Sequence, residues 1–284
     1  MNKPDRSSSA VAGGGRGRPD DIERAHLVDP ADSSYRIGRW PPTAELTDLI
    51  RRFWVPIWSV PADAAPQRVL QYPVCLLVIT EDYARFYGVA TGLSETTLTG
   101  DGWAVGVMLT PAAGALVIGG GVHEWTDRHD ELDAVFGDRG ADLARRVRVV
   151  MSVDADENTQ RRATALVEDW LRPHLPIDAE GRLINEIVEY VENRSEVTAV
   201  GQICDHFHLT ERSLQRITRR RLGLTPKWLI QRRRLHEAAE RLREPGDTLA
   251  VLAAELGYAD EAHLVRDFRT VTGMTPRGFS ARFD

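Results

Sequence analysis

Cysteine is nearly absent from this chain: Cys75 and Cys204 are the two in 284 residues. Such a pair makes neither a disulfide framework nor a zinc site, which excludes the small stapled domains of secreted proteins and suits a reducing cytoplasm. Long apolar runs are missing too. None approaches the roughly 18–20 residues that a membrane span requires, so no membrane partner is expected. The N-terminus, MNKPDRSSSAVAGGGRGRPD, lacks the apolar core of a secretory signal.

Signatures of catalysis are equally scarce. There is no Gly-x-Ser-x-Gly elbow and no Gly-x-x-x-x-Gly-Lys phosphate loop; GGGVHE has the glycines without the lysine. His123, Glu124 and His129 fall within HEWTDRHDELD, on an expected loop entering a helix, but they do not assemble three or four ligands. No metal, cofactor or catalytic residue is therefore expected, and the chain is not read as an enzyme.

The net charge of −6 argues against nucleic acid until it is divided along the chain. From Ala179 onward 17 Lys+Arg face 16 Asp+Glu, whereas residues 1–178 hold 19 against 26. An acidic body with a locally basic module fits a DNA reader, because phosphate contacts respond to the local field.

The length suggests about two domains. Residues 1–34, rich in Ser, Gly, Asp and Arg, read as a disordered tail that buries too little to offset its ordering entropy. Residues 35–176 read as a β-rich domain with helices at its end. A helix is expected behind Thr43, carrying Leu46, Leu49, Ile50 and Phe53. The strands are FWVPIWSV, QRVLQ, PVCLLVIT, YARFYGV, ETTLTG, WAVGVMLT and GALVIGG, broken by Gly, Pro, Asp and Ser. Short strands at this spacing suggest a β-barrel or sandwich. Its aromatics Trp54, Trp58, Tyr72, Phe86, Tyr87 and Trp103 either line a small-molecule pocket or fill the core. Between residues 130 and 176 the period turns helical, which suits a dimer contact, a signal bridge or packing on the barrel.

What the chain does have is TERSLQRITRRRLGLTPKWLIQRRR at residues 210–234, where nine basic residues stand with no acid between Arg212 and Arg234. As a helix from Glu211 it places Leu214 and Ile217 on one face, with Arg212, Gln215, Arg216 and Arg219 on the other. A solvated charged face would look similar, but the pattern repeats. Leu214-Gln-Arg216 recurs as Leu264-Val-Arg266, and Gly223-Leu-Thr225-Pro226-Lys227 as Gly273-Met-Thr275-Pro276-Arg277. Each copy follows a short helix, AVGQICDHF or LAVLAAEL, with Thr210 and Asp260 as N-caps of the second helix. Helix, turn and polar-faced helix is the helix-turn-helix plan, here at about 198–222 and 248–272. A connecting helix at about 226–243, capped by Thr225 with Pro226 in its first turn, would span about 27 Å, near the roughly 34 Å pitch of successive major grooves.

At these residues the last ~100 positions resemble the DNA-binding domain of the AraC/XylS family of bacterial transcription regulators. The resemblance implies that Arg212, Gln215 and Arg216 face bases from the first unit, and Ala262, His263 and Arg266 from the second. Arg219, Arg220, Lys227, Arg232 and Arg269 are expected on phosphates. His208 replaces the usual turn glycine and Thr218 a common aromatic, while the second unit keeps Gly257 and Phe268. Ala262 cannot hydrogen-bond a base, so the second unit would rely more on thymine methyls, shape and phosphates. RVLQYPVCLLVI, FYGV and AVGVMLTPAAG loosely resemble the cupin-like sensor domains of such regulators. The expected architecture is α+β: a β-barrel or cupin-like domain with flanking helices at residues 35–176, then an all-α double helix-turn-helix domain at residues 177–284. Its expected partners are double-stranded DNA and a small-molecule effector, with RNA polymerase and a second copy as further candidates. Two other readings stand beside it. An alkyl-transfer repair enzyme on a DNA-binding domain needs an activated cysteine, which neither Cys75 nor Cys204 has nearby groups to supply; a DNA-coating protein would lose sequence preference at physiological salt.

Overall fold

In the computed structural model, residues 35–60, 67–244 and 246–282 are described; the tail expected at residues 1–34 lies outside them. The N-terminal half is built on one antiparallel sheet in the order β1-β2-β7-β4-β5-β8. Its strands are β1 (Tyr35–Trp40), β2 (Ile50–Val60), β4 (Leu76–Thr80), β5 (Ala84–Tyr87), β7 (Gly100–Leu109) and β8 (His129–Glu131). A separate ribbon pairs β3 (Gln67–Val69) with β6 (Ser94–Thr96). The sheet does not close into the expected barrel, since β1 and β8 are its two edges.

Successive side chains of a strand point to opposite faces, and that rule divides this sheet in two. Phe53, Val55, Leu77, Ile79, Ala84, Phe86, Val105 and Val107 point to one side and join the main core. Trp54, Trp58, Leu76, Val78, Arg85, Tyr87 and Ala104 point to the other and line a cavity of about 530 Å³. The core side is covered by α3 (Asp138–Met151) and α4 (Glu157–Leu171). Arg148 donates from Nε to the Thr80 carbonyl at 2.9 Å, and the Trp40 indole donates to Gln160 at 3.2 Å.

Three local expectations change. The helix expected behind Thr43 is a single tight turn at Ala44–Leu46, and Ile50 and Phe53 belong to β2. GALVIGG is not a strand: Ala113–Ile118 form α1, ended by Gly119 in the left-handed conformation. An apolar run this short looks alike as strand or buried helix, and here the helix packs inside the core. His129–Glu131, expected as a loop, pairs with β5 before α2 (Leu132–Phe136).

All described elements after residue 178 are helical: α5 (Ala179–Asn193), α6 (Val200–Phe207), α7 (Glu211–Leu222), α8 (Pro226–Arg241), α9 (Leu249–Glu255), α10 (Glu261–Thr272) and α11 (Pro276–Ser280). Side-chain oxygens of Asp178, Thr210, Thr225, Thr248, Asp260 and Thr275 accept from the backbone N–H three residues on, so every one of these helices except α6 begins at a side-chain cap. His208 takes the left-handed turn at φ 53°, which histidine tolerates better than most residues. Helix α8 has 16 residues, about 24 Å at 1.5 Å per residue.

The two helix-turn-helix units pack differently. Ile203, Leu214, Ile217, Leu222, Leu229 and Ile230 belong to the same core as the sheet. The second unit has its own core, in which Leu235, Leu252, Leu256, Leu264, Phe268 and Phe279 meet Leu70 from the N-terminal half. Phe268 is fully buried, its ring 5.5 Å from that of Phe279. Truncating Phe268 to Ala should cost roughly 3–5 kcal/mol, read as a lowered urea midpoint.

Candidate nucleic-acid interface

Helix α7 is two-sided because its apolar residues recur at helical spacing. Leu214, Ile217, Thr218, Arg221 and Leu222 are buried, and Arg212, Gln215, Arg216, Arg219 and Arg220 are exposed. Thr210 Oγ1 accepts from Ser213 N at 3.2 Å and fixes where the helix begins. In α10, Leu264 and Phe268 face inward, Ala262, Arg266 and Arg269 are exposed, and His263 is half-buried. His263 sits edge-on to Tyr258, with Nε2 3.8 Å from Asp267. Lys227 is exposed in the first turn of α8.

Apart from the half-buried His263, the expected base-facing and phosphate residues are therefore exposed, with one exception. Arg232 is 2% exposed and points into the protein. Its Nη2 donates to the carbonyls of Ala90 and Thr91, and its guanidinium lies 4.3 Å from the Trp228 ring centre. It cannot hold a phosphate in this arrangement. Sequence spacing put it on a basic helix face, but that face of α8 is covered by the loop after β5. Arg221 and Arg233 are buried as well, so the basic run includes structural arginines.

The exposed face of α7 also carries a restraint that the sequence reading missed. Glu180, in the first turn of α5, accepts from Arg216 Nη1 at 3.1 Å and from Arg221 Nε at 3.0 Å, and lies 3.5 Å from Arg220. Asp178 accepts from Arg221 Nη2 while capping α5. Burial alone would raise the Glu180 carboxyl, but hydrogen bonds from Arg221 and Arg216 hold it below the usual carboxylate range. At the other end of α7, Gly223 turns with φ 72°, and a Cβ there would lie 2.2 Å from Thr126 Oγ1. Thr126 Oγ1 instead donates to the Gly223 carbonyl at 3.2 Å.

Of the six aromatics expected in a pocket or in the core, Tyr87, Trp54 and Trp58 line the large cavity. The two indoles lie over Gly106 and Gly102, their cross-strand partners, where a Cβ would come within 2.1 and 2.5 Å of the rings. The other three do not line it. Phe86 is on the core side, edge-on to Trp125 and Phe136; Trp103 packs against the same core; Tyr72 stacks on His236 at 4.4 Å, where the two halves meet. Arg85 faces the cavity beside Tyr87.

Among the described residues no group of three His, Cys, Asp or Glu is placed to hold a metal ion. Both cysteines are buried, and burial pushes the Cys75 thiol up to about 12, which leaves it a poor nucleophile.

Residues 203–282 match a family described as a helix-turn-helix domain, and residues 38–131 match a domain family of unknown function. The chain is 30% identical over 125 residues to the HTH-type transcriptional activator RhaS of Escherichia fergusonii, covering 44% of this chain and 38% of that protein. It is 35% identical over 130 residues to the HTH-type transcriptional regulator VirS of Mycobacterium tuberculosis, covering 45% and 36%. In these matches it spans little more than a third of each relative's length. Among solved structures, ToxT from Vibrio cholerae O395 aligns over 88% of this chain and 98% of its own, at 12% identity and a TM-score of 0.38.

Glu180→Gln should lower stability by roughly 1–3 kcal/mol at neutral pH, because the buried Arg221 loses one anionic partner. A carboxylate with a depressed folded pKa stabilises above its unfolded value of about 4.3 and loses that contribution as pH falls through the folded pKa. The difference between wild type and Glu180→Gln should accordingly shrink in acid, as followed by urea unfolding at successive pH values.

Proposed function

The C-terminal half carries a helix-turn-helix domain of the AraC type, and from that premise we propose that the chain is a sequence-specific DNA-binding transcription regulator. The observation that carries this reading is the pair of capped helices α7 and α10, each with an apolar back and an exposed polar front, joined by α8. A helix of that kind fits the major groove, and two of them on one connector suit adjacent groove segments. Arg212, Gln215 and Arg216 are the base readers of the first unit, with arginine suited to guanine O6 and N7 and glutamine to adenine. Ala262, His263 and Arg266 take that role in the second. Arg219, Arg220, Lys227 and Arg269 hold phosphates. Arg232 leaves that set because of its burial.

The large cavity supports the second part of the proposal, control by a small molecule. At about 530 Å³, walled by Trp54, Trp58 and Tyr87 and carrying polar groups such as Arg85, Gln67 and His129, it has the volume of a small-molecule site. Its wall also reaches the DNA-binding half. Ala90 and Asp127 line it, the Ala90 carbonyl accepts from Arg232 of α8, and Thr126 beside Asp127 bonds to the end of α7. A second copy of the chain and RNA polymerase are the protein partners such a regulator would meet at its operator. The cytoplasm is the compartment this reading requires, and no described helix is long and apolar enough to cross a membrane.

Arg216→Ala should cost roughly 1–3 kcal/mol at the cognate site and relax the preference at one base pair. Binding to a complete set of single-base operator variants measures both. Equal weakening on every sequence would make Arg216 a phosphate contact. Arg219→Ala or Lys227→Ala should leave the preference intact and reduce the slope of log K against log salt by about one.

A further inference from the structure

The carboxylate beside the front of α7 divides its two oxygens between a buried arginine and an exposed one. Oε1 of Glu180 accepts from Arg221 Nε at 3.0 Å, and Oε2 accepts from Arg216 Nη1 at 3.1 Å. Arg221 is buried and keeps its anions, because no water can replace them. Glu180 is therefore held from behind. It also stands in the first turn of α5, where the helix dipole favours a negative charge. The side chain of Arg216 is 60% exposed against 20% for Glu180, so the arginine takes its position from the carboxylate and not the reverse.

A guanidinium reads guanine by giving two parallel N–H bonds to O6 and N7, which requires one edge of its fork in the plane of the base. With Nη1 engaged by Glu180, the Nε–Nη2 edge of Arg216 makes no other hydrogen bond among the described residues. An arginine without such a hold swings on a long stem and meets any phosphate equally well. The carboxylate changes both conditions. It orients the fork before DNA arrives, and it offsets charge that would otherwise act on phosphates. Arg220 lies 3.5 Å from the same Glu180, whereas among the described residues no carboxylate pairs with Arg212 or Arg219 of the same helix.

We propose that Glu180 is a specificity-determining residue for DNA: by fixing Arg216 from behind, it turns that side chain from a phosphate contact into the reader of one guanine. The inference rests on the reading of the chain as a sequence-specific DNA binder, and it adds a positioning residue that acts through Arg216. It also has a sign that a purely structural role lacks. Without the charge of Glu180, Arg216 is released toward phosphates, so the protein binds arbitrary DNA more tightly while discriminating less. A role confined to Arg221 and the seating of α7 would instead weaken binding to every sequence.

The test uses the full chain at neutral pH. Wild type selects its preferred duplex from a random library, and binding is then measured to every single-base variant of that duplex and to an unrelated one, over a series of sodium chloride concentrations. Glu180→Gln should bind the unrelated duplex severalfold more tightly and steepen the dependence of log K on log salt by about one. It should also lose roughly tenfold of the preference at one G·C pair. In an Arg216→Ala background, Glu180→Gln should leave the preference at that pair unmoved, since the two residues act as a unit. Urea unfolding shows whether Glu180→Gln is folded. If it is not, side-chain NMR of the wild type decides: the Nη hydrogens of Arg216 should give separate signals before DNA is added, and signals averaged by free rotation overturn the proposal. Weakening of all duplexes alike in a folded Glu180→Gln overturns it too. A wild type with no preferred sequence overturns the DNA-reading assignment together with this inference; a wild-type preference that Glu180→Gln leaves intact overturns the role of Glu180 alone.

Discussion

A buried guanidinium is the constraint on which the seating of α7 against α5 rests. Arg221 is 3% exposed, and its charge is met by Asp178 and Glu180 at the start of α5. Taking such a cation out of water costs several kcal/mol unless anions and hydrogen bonds replace the solvent, so removing one partner is more damaging than the pair is stabilising. The cluster therefore works as a registration device. It fixes the rotation of α7 about its own axis, and with it which residues face outward. Arg216 and Arg220 emerge beside the same Glu180, and the exposed face begins where the buried ion cluster ends.

A second constraint, the two-residue period of a strand, decides what the sheet offers on each side. Phe86 and Tyr87 are neighbours in sequence and opposites in space, one in the core and one on the cavity wall. The same parity separates Trp103 from Ala104. Both indoles on the cavity side are accommodated because their cross-strand partners, Gly102 and Gly106, have no Cβ. The cavity is thus a product of strand register: shifting β2 by one residue would turn its tryptophans into the core.

These two constraints explain what could be read from the residues and what could not. The repeated Leu-x-Arg and Gly-x-Thr-Pro elements, the capping residues and the apolar spacing of α7 and α10 are local, and they led directly to the helical half. Grouping the aromatics without assigning parity mixed two faces, which is why Phe86 and Trp103 were considered beside Trp54 and Trp58. GALVIGG carries no period long enough to tell strand from helix, and only its place in the core decides. The sheet's failure to close depends on which strands end as edges, a long-range outcome. Arg232 was misread for a similar reason. Basic spacing marks one helix face, but whether that face meets solvent depends on the loop at Ala90 and Thr91, about 140 residues earlier in the chain.

The uneven packing of the two helix-turn-helix units bears on how any signal from the N-terminal half would travel. Helix α7 shares its core with the sheet, is pinned by Arg221 at one side and meets Thr126 at its end. It cannot rotate alone without breaking buried pairs and opening packed surface, and packed interfaces pass between discrete arrangements rather than deforming smoothly. Helix α10 sits in a separate core that receives Leu70 from the sheet domain. Because Leu235, Ala238 and Ala239 of α8 belong to that core, the second unit would move together with α8. If the cavity governs DNA binding, the change it makes must either be large enough to release α7 as a block or act through α8, where Arg232 already ties the connector to the cavity wall.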